Sequence, residues 1–84
     1  MSLDEQFQAA VAKINGLTTD PFNDEQKLVV YSHYKQATIG DCNTTRPGFF
    51  DMKGKAKWDA WDKLKGKSQD EAKQYYIDYV SKYC

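Results

Sequence analysis

Apolar residues in this chain recur mainly at spacings of three and four, the period of a helix with one buried face. Leu3, Phe7, Val11 and Ile14 form the first such row. Ser2 with Glu5 three residues later opens it as a capping box, and Asn15-Gly16 closes it, so a helix is predicted over about 3 to 15. After the turn formers Asp20-Pro21-Phe22-Asn23, the pair Asn23 and Gln26 repeats the capping signature. A second and longer helix is predicted from Asp24 to Ile39, stopped by Gly40. Met52, Ala56, Ala60, Trp61 and Leu64 predict a short third helix running up to Gly66, with Gly54 an early weak point. Ser68 with Glu71 then opens a fourth through the end of the chain, with Ala72, Tyr75, Tyr76, Tyr79, Val80 and Tyr83 on its face.

Between the second and third helices, Asp41 to Asp51 holds Asn43, Thr44, Thr45, Pro47 and Gly48, a cluster that predicts a long loop. Phe49-Phe50 at its end is too apolar to hang in water, so the loop is expected to pack onto the helices. No strand alternation, repeat or low-complexity tract competes. The predicted class is all-α, a four-helix bundle in which the long loop spans the bundle and leaves two neighbours parallel.

Composition narrows the picture. Eighty-four residues make one domain, 1–84, near the lower size limit for a core that stands without metal or disulfides. At 40% apolar residues a compact core is within reach, and 29% charged residues keep the surface soluble. Cys42 in the loop and Cys84 at the C-terminus form no disulfide framework and read as reduced thiols, with a single bridge left open. The N-terminal residues lack the basic and apolar regions of a secretory signal, and no apolar run is long enough for a membrane span. A soluble, cytoplasmic protein without stable membrane insertion is the expectation.

The net charge is zero but unevenly spread. Residues 1–34 carry two lysines against five carboxylates, residues 35–67 carry eight basic side chains against four aspartates, and residues 68–84 carry two lysines against three carboxylates. A basic middle inside an acidic chain favours a local anion site over a track for a long polyanion, which argues against nucleic acid as partner.

Ser32, His33 and the aspartates raise the question of a hydrolase triad. Ser32 and His33 are neighbours on a helix and are expected to point apart, and no strained Gly-x-Ser-x-Gly turn is present. One histidine and two distant cysteines give no zinc spacing, so neither catalytic nor metal-ligating residues are assigned. His33 reads as a surface or packing residue. Tyr31, Tyr34 and Lys35 share one face of the second helix, offering two hydroxyls and an ammonium to a phosphate. Lys53 and Lys57, one turn apart, add a second cationic edge. Taken singly, each group has a plainer reading: tyrosines at helical spacing form core, and lysine runs form a solvated face. The tyrosines of the fourth helix share that ambiguity, while Trp58 and Trp61 either stack on a base or plug the core, at least one being packing.

Together these residues resemble a known family. Tyr31-Ser-His-Tyr-Lys-Gln-Ala-Thr-Ile-Gly-Asp41, Arg46-Pro47-Gly48, Lys53-Gly-Lys-Ala-Lys-Trp58-Asp-Ala-Trp61 and Leu64-Lys-Gly66 closely resemble the acyl-CoA-binding proteins, with the match running from about Phe7 to Tyr83. The resemblance implies an up-down-down-up four-helix bundle and a monomeric, non-enzymatic carrier and pool former for long-chain fatty acyl-CoA, with no cofactor. It assigns Tyr31 and Lys35 to the nucleotide phosphates and Tyr34 to a place beside them. Lys57 would make a phosphate or adenine-side contact, Lys53 a weaker outer one, and Tyr76 would bring a hydroxyl from the fourth helix. Leu28 would line the acyl path. Three positions depart from the family pattern: Lys27 replaces an apolar residue beside that path, Asn15 replaces a lysine for which Lys13 could substitute, and Phe49-Phe50 is bulkier than the usual pair. A helical interaction module using the 35–67 face is the alternative from another class, and an enzyme acting on acyl-CoA is a third.

Overall fold

The computed structural model describes residues 2–83, which form α1 (Leu3–Asn15), α2 (Asp24–Thr38), α3 (Met52–Asp62) and α4 (Gln69–Tyr83), with no strand among the described residues. The helices start where the caps predict. Ser2 Oγ accepts from the Glu5 N–H at 3.1 Å while Glu5 Oε1 accepts from the Ser2 N–H at 3.3 Å, and Asn23 and Gln26 make the same exchange at 2.8 and 2.9 Å. At α4, Ser68 Oγ accepts from the Glu71 N–H, but Glu71 returns to the Ser68 hydroxyl instead of its backbone, so only half the box forms.

α3 is shorter than its apolar row predicts. Beyond Asp62, the carbonyls of Trp61, Asp62 and Leu64 each accept from the N–H three residues on, so the chain tightens into successive turns down to Gly66. Gly66 has φ +93°, a conformation that ends helical continuation and favours glycine.

Side-chain pairs fix the helix directions. Asp4 meets Lys73 and Phe7 meets Tyr76, so α1 and α4 run the same way. Gln69 reaches the Thr38 carbonyl while Tyr79 packs near Phe22, so α4 runs against α2. Asp24, Lys27 and Leu28 share a cavity with Met52, Lys53, Ala56 and Lys57, and Trp61 Nε1–H donates to the Gly40 carbonyl at 2.9 Å. Hence α2 and α3 are parallel, and the order is up, down, down, up. α4 packs on both α1 and α2, whereas α3 packs on α2 alone.

The core joins Phe7 and Ala10 of α1 to Ala37 of α2 and to Ala72, Tyr76 and Val80 of α4, with Val11, Ile14, Val30 and Ile77 packed around them. The tyrosine face of α4 splits accordingly: Tyr76 lies in the core row, while Tyr75 stacks on Tyr79 and Tyr79 meets Tyr83 at a tilt beside it, with Tyr75 and Tyr83 exposed. On α2 the buried positions are mostly polar, Ser32, His33 and Gln36. Gln36 Nε2 donates to Asp41 Oδ1 at 2.9 Å and to the Lys67 carbonyl at 2.6 Å, and Asp41 Oδ1 also accepts from the Gly66 N–H at 2.9 Å. This web ties the end of α2, the start of the long loop and the α3–α4 turn together.

The long loop does lie on α3, but through polar ties. Trp58 Nε1–H donates to the Thr44 carbonyl at 2.9 Å, and Arg46 forks onto the Asp59 carboxylate at 3.0 Å through both Nε and Nη2. Phe49 and Phe50 do not pack onto the helices as expected: they are 78% and 94% exposed. The core closes without them, and the two rings meet only edge to face, 5.3 Å apart, in the turn preceding Asp51.

Candidate functional site

Helical spacing sets Tyr31, Tyr34 and Lys35 on adjacent turns of α2, and the parallel packing of α3 brings Lys57 to the same place. The ammonium of Lys35 lies 5.7 Å from the centre of the Tyr31 ring, and that of Lys57 lies 5.2 Å from it. One half-buried tyrosine is thus flanked by cations from two helices. Each gains from the negative face of the ring. Neither lysine forms an ion pair among the described residues, where the paired cations are Lys27, Arg46 and Lys73. Two unneutralised ammoniums converging on one hydroxyl-bearing ring make a place suited to an anion such as a phosphate.

Tyr31 also lines a cavity of about 490 Å³ between the α1–α2 connection and α2, walled by Ile14, Leu17, Phe22 and Val30. On the other side, Lys57 and Lys53 line a second cavity of about 490 Å³ between α2 and α3, with Leu28, Met52 and Ala56 as its apolar wall. Lys27 lines both. Its ammonium is held by Asp20 at 2.9 Å, so the charge is turned onto the α1–α2 connection while the methylene stem is left to the cavities. Asp20 is itself fixed by the Phe22 N–H at 2.9 Å. That bond first, and the ammonium second, hold its carboxyl below the usual carboxylate range.

Tyr34 and Tyr76 come together one turn away. The Tyr34 ring centre lies 6.1 Å from Phe7 and 6.3 Å from Tyr76, and Tyr76 lies 5.0 Å from Phe7. Tyr34 is 37% exposed and Tyr76 only 3%, so Tyr34 lies at the surface and Tyr76 in the core beneath it. Of the six residues singled out in the sequence, then, Tyr31, Lys35 and Lys57 share one cluster, and Tyr34 and Tyr76 share another beside it. Lys53 stands one helical turn outside, on the cavity wall.

The hydrolase residues have other work. Ser32 Oγ–H donates to the Val29 carbonyl at 3.0 Å, and His33 Nδ1 reaches the same oxygen at 2.8 Å, so the adjacent side chains converge on one backbone acceptor, not on a reacting centre. A carbonyl only accepts, which puts the ring proton on Nδ1. His33 stacks on Tyr75 at 4.0 Å, and burial pushes its pKa below the ordinary value. It is a packing residue. Trp61 is 4% exposed and plugs the fold; Trp58 pins the loop.

The α1–α2 cavity has no signature in the sequence, since its wall residues Leu17 and Phe22 belong to no periodic row. Aspartate and lysine separated by a turn, as Asp20 and Lys27 are, are too common to signal a latch. The expected pairing state of Cys84 lies outside the described residues, while Cys42 is free.

The family model described as acyl CoA binding protein matches residues 4–80. An acyl-CoA-binding protein homolog of Drosophila melanogaster is 51% identical over 76 residues, covering 90% of this chain and 87% of that protein. An acyl-CoA-binding protein of Brassica napus is 50% identical over 80 residues, covering 95% and 86%. The crystal structure of Oryza sativa acyl-CoA-binding protein 2 superposes with a TM-score of 0.90 at 43% identity, covering 98% of this chain and 90% of that one. The chain belongs to the acyl-CoA-binding protein family.

Proposed function

We propose that this protein binds one long-chain fatty acyl-CoA ester and serves as its carrier and pool former, as a cytoplasmic monomer with no cofactor and no reaction of its own. The observation that carries the reading is the pair of unpaired ammoniums, Lys35 and Lys57, at 5.7 and 5.2 Å from the Tyr31 ring beside apolar cavities. In this reading Tyr31, Lys35 and Lys57 hold the nucleotide phosphates, with Lys53 as an outer contact. Tyr34 lies along the ligand, and Tyr76 brings α4 to it. The acyl chain follows the wall formed by Leu28, Met52, Ala56 and the stem of Lys27.

Carriage needs no nucleophile, and the commitment of Ser32 and His33 to the Val29 carbonyl supports a binding role over hydrolysis. Phosphate contacts orient the ligand, while the tail sets affinity. Each buried methylene contributes about 0.8 kcal/mol, so two more carbons tighten binding about tenfold until the cavity is full.

Titration calorimetry with palmitoyl-CoA, free CoA and free palmitate tests this. The expected result is one-to-one binding of the ester, much weaker binding of CoA and little of palmitate. Palmitate binding as tightly as its ester would remove the clamp from the reading. Affinity independent of acyl length would favour the interaction-module alternative, and consumption of the thioester by pure protein would favour the enzyme.

A further inference from the structure

Three large apolar side chains at the junction of the long loop and α3 are turned out to water: Phe49, Phe50 and Met52, 78%, 94% and 71% exposed. Scattered exposed apolar residues are ordinary, but three within four positions make a patch. The two phenyl rings are packed against one another and not on the body of the fold, so the tip is already arranged before anything covers it. Lys55 holds its ammonium 5.0 Å over the Phe49 ring, and Lys53 stands exposed beside Met52. Of the neighbouring carboxylates, Asp51 accepts from the Gly54 N–H as the cap of α3, and Asp59 is engaged by Arg46. With Asp59 balanced by Arg46, Lys53 and Lys55 against the single charge of Asp51 leave the surroundings of the rings net cationic.

We propose that the Phe49-Phe50 tip, flanked by Lys53 and Lys55, docks reversibly on an anionic lipid surface. Projecting aromatic rings beside lysines match the two layers of such a surface, rings in the acyl boundary and ammoniums among the anionic head groups. A ring that is 94% exposed stands clear of its neighbours, so a protein partner would have to supply a matching recess, whereas a lipid interface receives it without one. Met52 and Lys53 also line the α2–α3 cavity, which puts the docking tip at the mouth of the apolar wall. Phe49, Phe50 and Lys55 line neither of the two cavities, so docking through them does not depend on what the cavity binds.

Sedimentation with phosphatidylcholine vesicles, with and without phosphatidylserine, tests the proposal in the absence of any acyl-CoA. Wild-type protein is expected to bind the anionic vesicles and to be released by salt. The F49S/F50S variant is expected to lose that binding at least tenfold, and K55Q to weaken it on the order of fivefold. Both are expected to keep the wild-type far-ultraviolet circular dichroism spectrum and palmitoyl-CoA affinity. Wild-type protein that ignores anionic vesicles, or an F49S/F50S variant that binds them as wild type does, overturns the proposal. Concentration-dependent self-association of wild type, abolished in F49S/F50S and without vesicle binding, would instead make the tip a contact between copies.

Discussion

Lys35 and Lys57 stand on different helices and reach the same ring, so their effects on a bound phosphate should resemble one another and differ from that of Lys53. A charge-assisted hydrogen bond is worth roughly 1.5 to 3 kcal/mol when its partner is desolvated. Lys35→Ala and Lys57→Ala are each expected to weaken palmitoyl-CoA binding on the order of tenfold or more and to flatten its dependence on salt. Lys53→Ala is expected to cost less, because that side chain lies a turn away on the rim. Calorimetry at two ionic strengths checks the order; a Lys53 effect larger than that of Lys57 would move the head group along α3. Residue chemistry explains why these positions were legible in the sequence. Helical spacing alone sets Tyr31 against Lys35, whereas the meeting with Lys57 depends on packing and was supplied by the family resemblance.

At the scale of elements, local signals succeeded where the physics is local. Helix starts follow from side chains three residues apart, Ser2 with Glu5 and Asn23 with Gln26, and these bonds form in the folded chain as the spacing requires. The end of α3 was misplaced because the apolar row through Leu64 says nothing of a competing long-range demand on the backbone. That demand is the Gly66 N–H bond to Asp41, 25 positions away in the sequence. Phe49-Phe50 was misread for a related reason: hydrophobicity favours burial only where the core has a place left, and Phe7, Tyr76 and Val80 already fill it. Gly66→Ala tests how firmly this turn is set. At φ +93° a Cβ is strained even though no neighbouring atom lies within 4 Å of its position. The expected loss is about 1 to 2 kcal/mol of unfolding free energy in urea titration, with the far-ultraviolet helix signal retained.

For the whole molecule, pH acts both on the web around Asp41 and on the packing of α2 against α4. His33 is held neutral by burial, with its folded pKa below the ordinary 6.5. The unfolded chain therefore takes up a proton before the folded one does, and stability declines as pH falls from 6.5 through the folded value. Asp41 acts in a separate window. The Gly66 N–H first, and the Gln36 amide second, lower its pKa below 3.8, so its contribution is present above 3.8 and is lost as pH falls through the still lower folded value. Asp20 and Asp59, lowered by their own hydrogen bonds, add to this acid limb with the same sign. Urea unfolding across the acid range should show two declines, one starting near 6.5 and one below 3.8. His33→Gln should remove the upper decline and leave the lower one, since Asp41 meets Gln36, Gly66 and Lys65 but not His33. An unchanged upper decline in that variant would show that another group carries it. If Asp41→Asn left the lower decline intact, the acid limb would belong to the surface pairs, and the web between α2 and the α3–α4 turn would be held without its charge.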